Sequence, residues 1–124
     1  MSEQHRQLVE AFWHTANARD WDRFTALLHP ELLYTVPQTR ERVRGRSGFV
    51  ELFRTWPGPW RADVKLLIAD ARRAVSTIDF VIGDEGETGI SFFEFNAGLV
   101  SQVTDYWPSP YDPPPRATPA MERF

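Results

Sequence analysis

Hydrophobic residues at helical spacing predict three helices in the first half of the chain. The first helix, over residues 3–18, presents one apolar stripe made of Leu8, Val9, Phe12, Trp13 and Ala16. The second helix is short, with Asp20 as a candidate N-cap and Pro30 as its end. The third helix is RSGFVELFRTW, residues 46–56. Between the second and third helices, ELLYTVP is predicted to be a strand and TRERVRGRSG a polar turn.

From residue 62 onward the apolar positions recur with a period of two, which indicates β-strands. Four strands are predicted, in the segments ADVKLLIADA, AVSTIDFVIG, TGISFFEFN and LVSQVTDYW. The turns between them are ADARRA, GDEGETG and NAG. The resulting order, α-α-β-α-β-β-β-β, is typical of an α+β domain in which a mostly antiparallel sheet curves around the N-terminal helices. Such a sheet leaves a pocket between its inner face and the helices.

The predicted domain covers residues 1–108, and residues 109–124 form a proline-rich tail without periodicity. A segment of this composition is expected to be extended and to lie on the surface. Tyr111, Met121 and Phe124 give the tail apolar anchors that a plain linker does not need. We therefore predict that the tail packs along its own barrel or across a dimer partner, with disorder as the alternative.

Composition and charge narrow the classes of function. The formal net charge of −3 argues against a nucleic-acid partner, because counterion-release binding needs a basic face. The absence of cysteine excludes disulfides, thiol nucleophiles and thiolate metal sites. The histidines form no metal-ligand motif and no glycine-rich nucleotide motif is present, so neither a metal nor a cofactor is expected. Since no apolar run has the length of a signal peptide or a membrane span, we expect a cytoplasmic protein without a membrane partner.

Asp105 is the first candidate for chemistry because it interrupts an apolar strand face. In LVSQVTDYW, alternation places Asp105 on the same face as Val103 and Trp107. A carboxylate that points inward must be paired, hydrogen-bonded or protonated, since burying an isolated charge is very costly. An inward Asp105 is therefore a candidate acid–base group. The alternative is a strand-end carboxylate that reaches solvent or binds an arginine.

Asp79, in AVSTIDFVIG, is the second carboxylate within a predicted strand. The opposite face of that strand holds Ile78, Phe80 and Ile82, so the periodicity indicates that Asp79 points outward.

Aromatic rings from different elements are a further candidate feature, because 14% of the residues are aromatic, which is high for this size. Most of the rings should form the core, and some are expected to line a cavity between helices and sheet.

The order and spacing of three segments resemble the SnoaL-like branch of the nuclear-transport-factor-two-like superfamily. These segments are ARDWDRFTALLHPELLYTVP, RGRSGFVELF and ISFFEFNAGLVSQVTDYW, and the resemblance covers residues from about 5 to 108. It implies a conical α+β barrel with an apolar pocket at its wide end, commonly dimerised through the outer face of the sheet. The superfamily includes ketosteroid isomerases, polyketide cyclases, limonene-type epoxide hydrolases and non-enzymatic binders.

The catalytic groups of the ketosteroid isomerases have no counterparts in this chain. The resemblance places the isomerase base at Val36, the oxyanion-hole tyrosine at Phe12 and the protonated aspartate near Ser91. None of these three residues supplies the required group. The resemblance therefore does not imply isomerisation of steroids.

The epoxide hydrolases and the cyclases match the chain in part. The hydrolases position a water molecule with two aspartates and an arginine; Asp105 matches one aspartate and Asp79 resembles the other, which implies that Asp79 faces inward. The arginine corresponds to Thr77, and the water-binding tyrosine and asparagine correspond to Leu33 and Thr35. SnoaL-type cyclases use one aspartate as the acid–base group of an aldol closure, a role that Asp105 or Asp79 would fill.

Two hypotheses follow for the function. In the first, the chain binds a small apolar molecule, with acid–base chemistry centred on Asp105 and with Asp79 as the second catalytic candidate. The walls of that pocket are expected to be Phe12, Trp13, Tyr34, Trp56, Phe93 and Trp107. In the second, the chain is a non-catalytic binding or dimerisation module. The resemblance implies a homodimer in either case.

Overall fold

Three helices and six strands make up the fold of the computed structural model, which describes residues 2–124. In chain order the elements are α1 (Ser2–Asn17), α2 (Trp21–Ala26), β1 (Leu28–Val36), β2 (Glu41–Arg44), α3 (Arg46–Thr55), β3 (Arg61–Ala69), β4 (Arg73–Ile82), β5 (Glu85–Asn96) and β6 (Leu99–Tyr106). The predicted α+β class is confirmed, with one strand more than the sequence pattern indicates.

All six strands belong to one sheet in the order β2-β1-β6-β5-β4-β3. Neighbouring strands are antiparallel except β1 and β6, which are parallel. Strands β2 and β3 form the two edges, so the sheet is curved but not closed. Helix α1 packs against β3 and β4, and α3 packs against β1 and β2, so the helices cover one face. We call this face the inner face and the other the outer face.

The core lies between the inner face and the helices, and it is built around aromatic rings. Phe12 of α1 is fully buried, and its ring lies 4.9 Å from that of Phe24, 6.0 Å from that of Phe49 and 5.1 Å from that of Phe93. Burying one such side chain stabilises the fold by about 1.5–3 kcal/mol. The predicted apolar stripe of α1 therefore faces the sheet.

Side chains of α1 also hydrogen-bond to the strands that they cover. The Asn17 amide accepts from the Ala62 backbone N–H and donates to the Ala62 carbonyl, both at 2.8 Å. One turn earlier in the helix, the Trp13 indole N–H donates to the buried Ser76 hydroxyl at 3.0 Å. These bonds fix the rotation of α1 relative to β3 and β4, and they determine which helical side chains face the space between helix and sheet.

Three segments differ from the sequence prediction, because pairing with a neighbouring strand outweighs local propensity. Helix α2 ends at Ala26, and Pro30 lies within β1, which begins at Leu28 beside Val100 of β6. The predicted polar turn TRERVRGRSG contains the edge strand β2, which pairs with the end of β1. The turn predicted in GDEGETG is shorter than expected, because β5 already begins at Glu85.

The proline-rich tail has no helix or strand, and every residue from Pro108 to Phe124 is exposed. Its apolar anchors are exposed as well: 86% for Tyr111 and 59% for Met121. The expectation that the tail packs along its own barrel is therefore wrong, since its anchors are exposed and not buried against the same chain. Packing across a dimer partner stays a prediction. Among residues 2–124, no helix is long and apolar enough to cross a membrane.

Candidate functional site

A cavity of ≈ 160 Å³ lies between the helices and the inner face of the sheet. It is lined by Trp13, Tyr34, Leu52, Phe53, Trp56, Trp60, Ile78, Phe80, Glu87, Asp105 and Trp107. Trp56 and Glu87 are exposed and mark its open end, whereas Trp13, Trp60 and Asp105 are buried. The cavity is thus an aromatic space with a carboxyl group in its wall.

Asp105 is 5% exposed and accepts one hydrogen bond on each carboxyl oxygen. The Tyr34 hydroxyl donates to Oδ2 at 2.7 Å, and the Ser91 hydroxyl donates to Oδ1 at 2.6 Å. The sheet brings these groups together, because Ser91 lies directly opposite Asp105 in the β5–β6 pair and Tyr34 lies opposite Val103 in the β1–β6 pair. The carboxyl group is therefore held in one orientation by two neighbouring strands.

Burial raises the pKa of Asp105 from its ordinary value of 3.8 to about 6, although the hydrogen bonds from Ser91 and Tyr34 oppose the change. Burial also raises the pKa of Tyr34, and the charge of Asp105 beside it acts in the same direction. Tyr34 therefore keeps its proton and remains a donor. Asp105 gains and loses a proton near neutral pH, which is the range in which a general acid or base works well.

Trp107 closes one side of the cavity and is held at its backbone. The Gln38 side chain accepts from the Trp107 backbone N–H at 2.5 Å and donates to its carbonyl at 3.4 Å, as a strand neighbour would. The indole packs on Gly89, where an added Cβ atom would lie 2.8 Å from the ring. Gly89 is thus the residue that makes space for Trp107.

The structure brings five of the predicted site residues together and separates three others from them. The residues at the cavity are Asp105, Trp13, Tyr34, Trp56 and Trp107. Phe12 and Phe93, predicted as pocket walls, are instead fully buried core residues that do not line the cavity. Their side chains contact each other beneath the cavity, with ring centroids 5.1 Å apart.

Asp79 lies on the outer face of β4, away from the cavity. Its carboxylate is half-exposed and lies 3.5 Å from the ammonium group of Lys65. The inward orientation implied by the epoxide hydrolases is therefore wrong for Asp79, and the orientation indicated by the periodicity is correct. The reason is the alternation of β4, which buries Ser76 and Ile78 against α1 and directs Asp79 to the other side.

The sequence reasoning missed several residues of the site. Ser91 has no nucleophile motif around it, but alternation in β5 places it on the same face as Phe93, and this inward position was the available signal. The other lining residues that were not among the expected pocket walls are Leu52, Phe53, Trp60, Ile78, Phe80 and Glu87. Within the described part of the chain, no group of three His, Asp or Glu side chains is arranged to hold a metal ion.

Comparisons with known proteins agree with this architecture. The profile of the SnoaL-like domain matches residues 9–103. A solved structure from Kribbella flavida DSM 17836, provisionally named a ketosteroid isomerase, is 40% identical with a TM-score of 0.92, and the match covers 99% of this chain and 91% of that one. No curated protein matches the chain.

Two more distant structures share the fold. An NTF-2-like protein of unknown function from Burkholderia xenovorans LB400 is 21% identical, with a TM-score of 0.80 over 98% of this chain and 96% of that one. An LEH-like epoxide hydrolase from M. tuberculosis is 23% identical, with a TM-score of 0.72 over 86% of this chain and 84% of that one. At these identities the similarity shows the fold alone.

Proposed function

Because the chain belongs to the SnoaL-like family of the nuclear-transport-factor-two-like superfamily, we propose that it binds a small, mainly apolar molecule in the cavity and uses Asp105 to move a proton on it. One observation carries the proposal: a carboxyl group that is 5% exposed and held by two hydroxyl groups forms part of an aromatic cavity wall. An apolar cavity with a few convergent polar groups is the usual form of a small-molecule site.

The chemistry follows from the protonation states of Asp105. The ionised carboxylate accepts a proton from the bound molecule and then returns it to another atom of the same molecule. Such a step serves an isomerisation or an aldol closure, and a positioned acid–base group contributes about 10²–10⁴-fold to the rate. The hydrogen bonds from Tyr34 and Ser91 keep the carboxyl group oriented during both transfers.

The cavity volume supports a single-ring ligand. A volume of ≈ 160 Å³ is close to that of engineered cavities of ~150 Å³ that bind benzene. A steroid has four fused rings, so only part of it would fit within this volume. The isomerase assignment therefore stays with the Kribbella flavida protein, since in this chain Phe12 is core, Val36 has no acid–base group and Ser91 is bonded to Asp105.

The two-aspartate mechanism of the epoxide hydrolases is not proposed for this chain. It requires a second carboxylate beside the first, and Asp79 lies on the outer face of the sheet beside Lys65. Thr77 stands where the connecting arginine would be needed. We therefore assign the proton transfer to Asp105 alone.

Hydrogen–deuterium exchange at the carbon next to a ketone tests the proposal directly. Single-ring ketones such as cyclohexanone are incubated with the protein in D₂O, and the exchange is followed by proton NMR. We expect the wild type to accelerate the exchange, and Asp105→Asn to lose about 10²-fold or more of that acceleration. Asp79→Asn is the matched control and should behave as the wild type.

Two outcomes would contradict this proposal. Equal exchange rates in Asp105→Asn and in the wild type would remove Asp105 from the reaction. No acceleration by the wild type with any ketone of the panel would contradict the proton transfer. In the latter case, binding of the same ketones, measured by thermal shift, separates a non-catalytic binder from a protein without a ligand cavity.

We propose in addition that the chain is a homodimer through the outer face of the sheet. Two cross-strand rows on that face carry large exposed apolar side chains: Leu66 and Tyr106 at the ends of one row, and Ile68 with Phe92 in the other. Contiguous exposed apolar side chains of this kind mark interaction sites. A non-catalytic dimerisation module would use the same surface.

Light scattering tests the dimer. The wild type should have twice the chain mass of 14.4 kDa at micromolar concentration, and Phe92→Glu should shift it to the monomer, because a charge would be buried at the interface. A chain truncated after Trp107 separates the contribution of the tail from that of the sheet. A wild type of 14.4 kDa would contradict the proposal.

A further inference from the structure

We propose that the cavity selects ligands with a positively charged group, a protonated amine on a single ring being the simplest, with Asp105 as the counter-ion and the tryptophan rings as the surrounding wall. The inference rests on the proposed function and names the substrate class of the same site. It follows from the charges, the rings and the hydrogen bonds of the cavity, taken in turn.

The charged side chains at the cavity are both acidic. Asp105 lies in its wall and Glu87 at its open end. Across the described part of the chain, no lysine or arginine lines the cavity. Two carboxylates in a space with low-dielectric walls produce a negative potential, which attracts cations and opposes anions. An anionic ligand would therefore have no partner there.

The rings of the cavity are suited to a cation. Trp13, Trp56, Trp60 and Trp107 line it, and tryptophan is the side chain whose ring attracts a cation most strongly. One face of the Trp60 ring is already covered by an internal cation, because the guanidinium group of Arg19 lies 3.8 Å from its centroid. The rings left for a ligand cation are therefore chiefly Trp13, Trp56 and Trp107. Aromatic rings around a pocket are the usual surroundings of bound substituted ammonium groups.

The hydrogen bonds of Asp105 leave its charge without a counter-ion. Tyr34 and Ser91 are neutral donors and occupy one acceptor position on each oxygen, while a carboxylate offers about four. By contrast, Asp79 on the outer face has Lys65 beside it. A ligand ammonium group would supply the missing positive charge and donate to the remaining acceptor positions.

Two titratable groups besides Asp105 line the cavity. Tyr34 approaches from β1 and Glu87 from β5. The other elements around the cavity contribute neutral side chains, namely Trp13 from α1, Leu52 and Phe53 from α3, Trp56 and Trp60 from the segment after α3, Ile78 and Phe80 from β4, and Trp107 after β6. The pH dependence of cation binding should therefore follow the ionisation of Asp105, whose pKa is about 6.

Three probes on one scaffold test the inference by calorimetry at pH 7.5: benzylamine, which is protonated, benzyl alcohol, which is neutral, and benzoate, which is an anion. We expect benzylamine to bind at least about tenfold more tightly than benzyl alcohol, and benzoate to show no binding. At pH 5, the affinity for benzylamine should fall about tenfold, because only about a tenth of Asp105 is still ionised. The affinity for benzyl alcohol should stay constant.

Variants connect the preference to the residues. Asp105→Asn should remove both the preference for benzylamine and its pH dependence while it retains the binding of benzyl alcohol, which also shows that the cavity is intact. Trp56→Leu, at the exposed end, should reduce the preference several-fold. Asp79→Asn is the matched control for a lost carboxylate and should bind all probes as the wild type does.

The possible results distinguish this inference from the proposed function. Equal or tighter binding of benzyl alcohol, or binding of benzoate, overturns the selection of cations but leaves a ligand cavity in place. The same holds if Asp105→Asn keeps the full preference for benzylamine. If none of the three probes binds at millimolar concentration, both this inference and the proposed ligand cavity are wrong.

Discussion

Asp105 on β6 and Asp79 on β4 are separated in the sheet by β5 alone, yet they lie on opposite faces and in opposite surroundings. Asp105 is 5% exposed, contacts two neutral hydroxyl groups and has a pKa raised by burial to about 6. Asp79 is half-exposed and lies beside Lys65. The face of the strand, and not the residue type, determines which aspartate can act as an acid–base group.

The same contrast applies to two adjacent phenylalanines of β5. Phe93 is fully buried in the core, whereas Phe92 is 48% exposed on the outer face. The inner face thus provides packing and a desolvated carboxyl group, and the outer face provides apolar surface for a partner. Substitutions at one residue of the aspartate pair or of the phenylalanine pair test whether the inner and outer faces differ in this way.

The largest expected difference is between Phe93→Ala and Phe92→Ala. Removing the Phe93 ring leaves a cavity in the core, so we expect a loss of about 3–5 kcal/mol in the free energy of unfolding. Phe92→Ala should cost less than about 1 kcal/mol, because its ring is already half in water. Urea denaturation measures both losses, at protein concentrations where further dilution no longer shifts the midpoint. Equal losses would show that the two faces are not different environments.

The second prediction concerns the pH dependence of stability. Because the pKa of Asp105 is raised from 3.8 to about 6, the folded protein keeps a proton that the unfolded chain releases. The contribution of Asp105 to the free energy of unfolding is complete below about pH 4. It is lost as the pH rises through 6, and the loss amounts to up to about 3 kcal/mol. Asp105→Asn should lack this loss, whereas Asp79→Asn should retain it. Urea denaturation between pH 4 and pH 7.5 gives the stability of each variant as a function of pH. Parallel profiles for the wild type and Asp105→Asn would contradict the raised pKa of Asp105.

The third prediction removes the hydroxyl group of the residue directly opposite each aspartate in the sheet. Ser91→Ala leaves one Asp105 oxygen without a partner, which should cost about 1–3 kcal/mol at pH 7.5 and raise the pKa of Asp105 further, since the lost bond favours the ionised form. Thr88→Ala, directly opposite Asp79, is the matched control and should change stability by less than about 0.5 kcal/mol. Carbon-13 NMR of the aspartate carboxyl groups measures the pKa, and an unchanged pKa in Ser91→Ala would contradict the role of Ser91.

The smallest effect is expected at the outer pair. Lys65→Ala removes an exposed ion partner of Asp79, and such pairs contribute about 0–1 kcal/mol. Salt at 1 M should abolish the difference from the wild type, because it screens exposed charges. A loss above 2 kcal/mol, or one that persists in high salt, would mean that Asp79 contributes more than its exposure suggests.

Much of the fold could be predicted from the sequence because the apolar period is strong in the long elements. The stripe of α1 and the alternation in β4 identified the buried faces correctly, and the outward position of Asp79 followed from the alternation. Strand β2 was missed because an edge strand is short and polar, so it has the composition of a turn. Its four residues become a strand only beside β1.

The site was predictable in its residue types but not in its contacts. Phe12 and Trp13 lie on the same apolar stripe, and only the tertiary packing decides that Phe12 fills the core while Trp13 lines the cavity. The partner of Asp105 depends on a β-bulge: a regular hairpin closed at Asn96 and Leu99 would place Ile90 opposite Asp105. The register passes over Ser101, so Ser91 takes that position instead.

The tryptophans around the cavity also make the protein its own optical probe. Trp13, Trp56, Trp60 and Trp107 line the space that a ligand would enter, whereas Trp21 lies outside it against Phe24. A ligand that displaces water from those four indoles should change the wavelength and intensity of their fluorescence, over a constant background from Trp21. Occupancy can therefore be followed in the unlabelled wild-type protein, which makes a broad search for its natural ligand practical.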